Sequence, residues 1–227
     1  QNMNLSTIQN IDNYRISELD LKPQKIESVK YKNNYVKLYF DFIFEENKLY
    51  TLNIDNVTNC KDIPPEDEIF VQFGIPSSAN RNDVIINEIL FNPINPGVDY
   101  LELYNRSDKV IDLKELTFGT IKISFPNPAD TTLKDIINES RYLLPHSYTL
   151  LSTDSEIVKY QYDIKDKDDN NFLEVKSFPS LPNTEGRVVI CDKTSKIIDE
   201  MYYSEKMHYE LLTVTQGVSL ERISFEK

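Results

Sequence analysis

Short β-rich runs, each closed by Pro, Gly, Asn or Asp, follow one another along the whole chain with almost no 3.6-residue periodicity between them. A chain patterned this way cannot bury its apolar residues on helices, so it must build sheets and stack them. The runs fall at 25–31, 35–42, 49–54 and 69–73, then at 84–91, 100–104, 148–151, 187–191, 197–202 and 218–223. Residues 35–42 and 49–54 read as a hairpin across the turn-forming Glu45-Glu46-Asn47, and 60–67, with Pro64-Pro65, reads as a loop because proline cannot donate to a ladder. Residues 130–141 predict a short helical turn and 163–171 a polar insertion, both as loops on an all-β sandwich.

Gly74 to Asn82 collects turn formers and small polar residues between two β runs, the pattern of an interdomain linker. The expected division is a domain at 1–77, a linker at 78–82 and a second domain at 83–227. In the strand at 100–104, Leu101 and Leu103 share one face, while Tyr100, Glu102 and Tyr104 share the other.

Charge excludes one large class of partner. The 227 residues carry 25 Lys and Arg against 37 Asp and Glu, a net charge of −12. Nucleic acid and anionic lipid are held mainly by basic side chains, and no segregated basic face is visible, so nucleic-acid binding is not expected. No apolar run approaches the ~20 residues of a membrane span. The chain opens on Gln1 with no apolar signal core, which leads us to expect a leader already removed or a longer parent chain.

Few residues offer chemistry. Cys60 and Cys191 are too isolated for a disulfide framework or a CxxC site, and both are expected as buried small apolar residues. Only two histidines occur, and no HExxH, GxSxG or P-loop string is present, so neither a catalytic residue nor a cofactor is expected. Glu88, Glu102 and Arg222 are charged residues inside otherwise apolar strands. Paired carboxylates suit acid/base work, but with no nucleophile or metal cluster beside them the favoured reading is a structural ion-pair network, Arg222 bridging one or both glutamates. The alternating oxygens of Asp166, Asp168 and Asn170 match the start of a calcium loop, yet Asn171 stands where glycine is wanted and Ser177 where a bidentate Glu is wanted, so a solvated loop is favoured. Tyr202, Tyr203 and Tyr209 are candidates for surface recognition, with alternation sending at least one of the first two inward.

From 84 to 225 the chain resembles a lamin-tail domain of the bacterial secreted kind. The segments that carry the resemblance are Ile86-Asn87-Glu88, Asp99-Tyr100-Leu101-Glu102-Leu103-Tyr104-Asn105, Ile111-Asp112-Leu113, 188–199 and Gly217-Val218-Ser219-Leu220-Glu221-Arg222. Residues 11–73 are similar to the later strands of a bacterial Ig-like domain, through Asn13-Tyr14-Arg15-Ile16-Ser17 and 48–57, but lack a glycine near Asn59-Cys60-Lys61-Asp62 and the first strands of a full sandwich. The resemblance implies two immunoglobulin-like β-sandwich domains in tandem, the first incomplete. It also implies a non-catalytic, secreted, periplasmic or cell-surface module for adhesion, scaffolding or contact with an unknown protein or surface glycan. The alternatives are an accessory domain of a larger secreted hydrolase and a glycan-binding module.

Overall fold

The computed structural model describes residues 3–29, 32–122, 130–164 and 171–225. The chain divides into two compact units, Gln1–Ile75 and Pro76–Lys227. In the first, helix α1 (Leu5–Ile8) is capped by Asn4, whose side chain accepts from the Ser6 N–H. Five strands follow, β1 (Tyr14–Ile16), β2 (Lys25–Val29), β3 (Lys32–Tyr39), β4 (Tyr50–Ile54) and β5 (Ile69–Phe73). They form a three-stranded antiparallel sheet in the order β1-β4-β5 and a separate β2-β3 ladder.

The expected hairpin of 35–42 with 49–54 is therefore not formed. β3 folds back on β2, and β4 lies between β1 and β5. The aromatic residues after Tyr39 supply the reason: Phe44 meets Tyr50 edge-on at 4.9 Å and Phe73 at 5.3 Å, and Tyr50 is fully buried. Burying those rings in one cluster outweighs continuing the ladder.

The second unit holds eleven strands and one α-helix among the described residues: β6 (Val84–Leu90), β7 (Tyr100–Asn105), β8 (Ile111–Asp112), β9 (Leu116–Lys122), β10 (Asp130–Asp135), β11 (Tyr142–Leu143), β12 (Tyr148–Ser152), helix α2 (Ser155–Gln161), β13 (Phe172–Glu174), β14 (Glu185–Asp192), β15 (Ile197–Ser204) and β16 (Leu220–Glu221). A five-stranded sheet runs β13-β12-β7-β6-β16, a four-stranded sheet runs β10-β9-β14-β15, and β11 pairs with β8. Between the two larger sheets lies one core, with Ile86, Ile89, Leu101 and Leu103 from the first and Phe118, Val188, Ile190 and Ile198 from the second, all fully buried. This is a β-sandwich-like, all-β architecture, and Leu101 and Leu103 face inward as their alternation requires.

Residues 78–82, expected as a linker, lie against the second unit. Ser77 N–H bonds the Val110 carbonyl at 2.9 Å, Asn82 N–H bonds that of Ile198 at 2.8 Å, and Ala79 packs on the core. The helical turn expected within 130–141 is strand β10, paired in register with β9. Gly119 permits this approach, since a Cβ there would collide with the Thr132 carbonyl oxygen. Helix α2 was not anticipated. Its signal is Asp154, whose carboxylate accepts from the Ile157 N–H at 3.0 Å, and its Val158 is buried. Cys191 is buried, whereas Cys60 is exposed against expectation, and both are free thiols.

Candidate functional site

The outer face of the five-stranded sheet carries the most concentrated chemistry in the second unit. Its geometry starts from a β-bulge. The register between β6 and β7 runs Ile86↔Leu103 and then Glu88↔Glu102, leaving Asn87 unopposed. Strict alternation from Val84 and Ile86 would send Glu88 into the core; the extra residue turns it outward and restores Ile89 to the inside.

Glu88 consequently sits directly across from Glu102 on one side and from Glu221 of β16 on the other. Three carboxylates thus form one cross-strand row, a like-charge arrangement that a sheet ordinarily avoids. Two of them are fixed by neutral donors: the Tyr100 hydroxyl donates to Glu88 Oε1 at 2.6 Å and Asn87 Nδ2 donates to Glu102 Oε1 at 2.8 Å. Burial pushes the Glu102 carboxyl above the usual range, the charges of Glu88 and Glu221 push the same way, and only the Asn87 bond opposes them.

Aromatic rings stand on both sides of this row. Toward one end of the strands, Tyr104 stacks between Tyr148 at 4.5 Å and Phe225 at 5.1 Å. Toward the other, Tyr162 meets Tyr100 edge-on at 6.1 Å beneath α2. Helix α2 covers that end through Val158, which packs with Leu90, Tyr100 and Leu150. The described residues leave beside it a cleft of about 500 Å³ lined by Glu88, Glu102, Tyr100, Tyr148, Tyr162 and Phe172 among others. Burial raises the Tyr100 phenol strongly, with the Glu88 bond adding to it, and burial likewise raises those of Tyr148 and Tyr162. These tyrosines are neutral donors and apolar walls at neutral pH. Among the described residues, no group of three or more His, Cys, Asp or Glu is arranged to hold a metal ion.

The sequence-derived candidates disperse. Glu88 and Glu102 come together, but the ion pair of Arg222 is made with Asp199, at 2.8 Å from Nη2 to Oδ2. The same Asp199 oxygen accepts from the Ile86 N–H at 2.8 Å, and Arg222 Nε donates to the Ile86 carbonyl at 3.0 Å. The expected bridge from Arg222 to the glutamates is thus replaced by a link from Arg222 to β15, because Asp199 is nearly buried and needs a cation. Tyr203 is a core residue at 0% exposure, tilted against Phe91 at 4.6 Å, and its hydroxyl donates to the Pro182 carbonyl. Against expectation, Tyr203 therefore offers nothing to surface recognition. Tyr202 and Tyr209 are exposed. Tyr202 borders a separate cleft with Glu185 and Arg187, and its hydroxyl donates to Glu185 at 2.8 Å. Asp166, Asp168 and Asn170 lie outside the described residues.

Sequence reasoning did not single out Tyr148, Tyr162, Glu221 or Asp199. The signal for the face was present in the shared side of Tyr100, Glu102 and Tyr104, but nothing local places Glu221 and Tyr148 beside it. No protein-family model matches the chain, and no curated protein matches it.

Proposed function

We propose that this chain is a non-catalytic, extracytoplasmic β-sandwich module, related to bacterial lamin-tail domains with a partial Ig-like domain before it, that recognises a protein partner at a cell surface. The observation that carries the reading is the outer face of the five-stranded sheet, where Glu88, Glu102 and aromatic side chains line a cleft of about 500 Å³ among the described residues. Rigid amphipathic tyrosines with a few placed polar groups are the composition of a recognition surface. The segments that resemble the lamin-tail pattern, 99–105 and 217–222, supply β7 and β16 of this same sheet, which supports treating the resemblance and the face together.

A glycan is the second reading, favoured by Tyr148, an exposed residue that lines the cleft with Glu102. A displayed random-peptide library and a glycan array, both probed with the whole chain, separate the two. Recognition of protein predicts enriched peptides whose binding is lost in Tyr148→Ala. Glycan hits without peptide enrichment would replace it with the second reading, and silence in both would remove the face as a recognition site.

A further inference from the structure

His208 joins the two ends of the segment 209–217, and the bonds it makes need two protons. The residue caps the 3₁₀ turn at Glu205–Met207 and is nearly buried, at 9% exposure. Its Nδ1 lies 3.0 Å from the Glu205 carbonyl oxygen and its Nε2 2.9 Å from that of Val218. A neutral imidazole carries a single N–H, so one of those oxygens would face a lone pair, whereas the imidazolium donates to both. We infer that His208 is a proton-operated clamp, which holds the segment closed when its ring is charged and loosens it when the ring is neutral.

What the clamp holds is otherwise little tied. Residues 209–214 are all exposed, Tyr209, Leu211, Leu212 and Val214 among them. Among the described residues their one hydrogen bond is internal, from the Leu212 N–H to the Tyr209 carbonyl. The chain is fastened again only beyond them, where the Gly217 N–H bonds the Asn92 carbonyl at 2.8 Å and the Tyr162 hydroxyl donates to the Gly217 carbonyl at 2.9 Å. Through Glu205 and Val218, His208 closes the entrance of the segment onto its exit. An exposed stretch with so few bonds opens at low cost, so gaining or losing one charge-assisted bond moves its equilibrium.

No carboxylate competes for the ring. Glu205, Lys206 and Glu210 on its own stretch are exposed, and 215–220 carries no titratable side chain. From the end of β6 the ring meets Phe91 at 5.7 Å, and Phe91 in turn touches Tyr203, on which the charge of Asp99 acts. Tyr162 is engaged by Gly217, and Glu185 of β14 accepts from Tyr202. None of these groups forms an ion pair or hydrogen bond with the ring, whose bonds go to the two carbonyls. The segment is therefore tightest on the acid side and loosens as pH rises.

NMR on the whole chain tests this between ~pH 5 and ~pH 9, a range that brackets imidazole titration. It follows the His208 ring signal, assigned by its loss in His208→Gln, and the exchange protection of the Leu212, Gly217 and Val218 amides, corrected for intrinsic rates. The expected result is at least tenfold greater protection on the acid side, with a midpoint that coincides with titration of the ring. In His208→Gln the protection should be equal at both ends of the range, while protected amides in β14 report an intact fold. Asp99→Asn removes another group that titrates in this range, since burial pushes its carboxyl up to about 6, and should keep the step. If His208→Gln does not fold, the coincidence of midpoints in wild type and its retention in Asp99→Asn decide. Protection that stays constant as the ring titrates, a ring that does not titrate in the range, or a step that survives His208→Gln or vanishes in Asp99→Asn would each overturn the clamp.

Discussion

Arg222 closes on Asp199 at 2.8 Å with side-chain exposures of only 13% and 7%, joining the end of the five-stranded sheet to β15 of the four-stranded one. Asp199 is held between this guanidinium and the Ile86 N–H, and Arg222 also bonds the carbonyls of Ile86 and, through its own N–H, Asn87. One residue therefore ties together the two sheets and the bulge that turns Glu88 outward.

Removing Asp199 leaves a part-buried guanidinium without its anion, and removing Arg222 leaves a buried carboxyl, already raised by burial, without its cation. Arg222→Ala or Asp199→Ala is expected to destabilise the second unit by ~3–5 kcal/mol, the usual cost of orphaning one member of a buried pair. Urea denaturation measures it, and a midpoint unchanged in both variants would show that the pair is not a buried one. Arg222→Ala should also weaken whatever binds the cleft, through the bulge at Asn87, while Asp199→Asn, which keeps an acceptor for Ile86, should be the milder change.

Glu102→Gln should stabilise the chain at pH 7. Burial and the neighbouring charges of Glu88 and Glu221 raise its carboxyl, and a neutral amide retains an oxygen for Asn87 while ending the repulsion. The expected gain is ~0.5–1 kcal/mol, the scale of a cross-strand charge pair. Thermal melts of the two proteins side by side check this, and a lower melting temperature for the variant would contradict the like-charge row.

Burial pushes the Asp99 carboxyl up to about 6. The unfolded chain releases that proton near the ordinary aspartate value, so between the two values the folded state binds more protons and its stability falls as pH rises. Asp99→Asn removes the effect. Its melting temperature should match wild type below about pH 4, draw ahead through the window up to about pH 6, and hold a constant lead above it, worth ~2–4 °C for a unit of this size if the gain is ~1 kcal/mol. A lead already present at pH 3, or none at pH 7, would be inconsistent with a buried Asp99 raised to about 6.

The two thiols should separate cleanly. Cys60 is exposed, whereas Cys191 is buried in β14 and its thiol is raised, first by burial and then by Asp192 and Glu200. Ellman's reagent on the native chain is expected to titrate one thiol quickly and the second only in denaturant. Cys60→Ser should abolish the fast phase, and its persistence would place Cys191 at the surface.

How much of this was legible depended on range. Alternation in 100–104 puts Leu101 and Leu103 on one face and Tyr100, Glu102 and Tyr104 on the other, and the structure keeps that division with the leucines toward the core, because side-chain direction in a strand is a property of neighbouring residues alone. The same rule misassigns Glu88, since the bulge at Asn87 arises from how β6 registers against β7 and β16. Local composition also suggested a hairpin for 35–42 and 49–54, where the choice of pairing was made by the ring cluster around Tyr50 instead.

By itself, then, the sequence determined that the chain is all-β, that its strands have defined faces, and that its surface is acidic, because period, turn chemistry and charge are local quantities. Tertiary structure alone decided which acids share a row and which arginine meets which aspartate. Glu88, Glu102 and Glu221 span more than a hundred residues of chain, as do Asp199 and Ile86. Partners at such separations are chosen by strand order and register, which are set when two sheets bury a common core and not by any neighbouring residue.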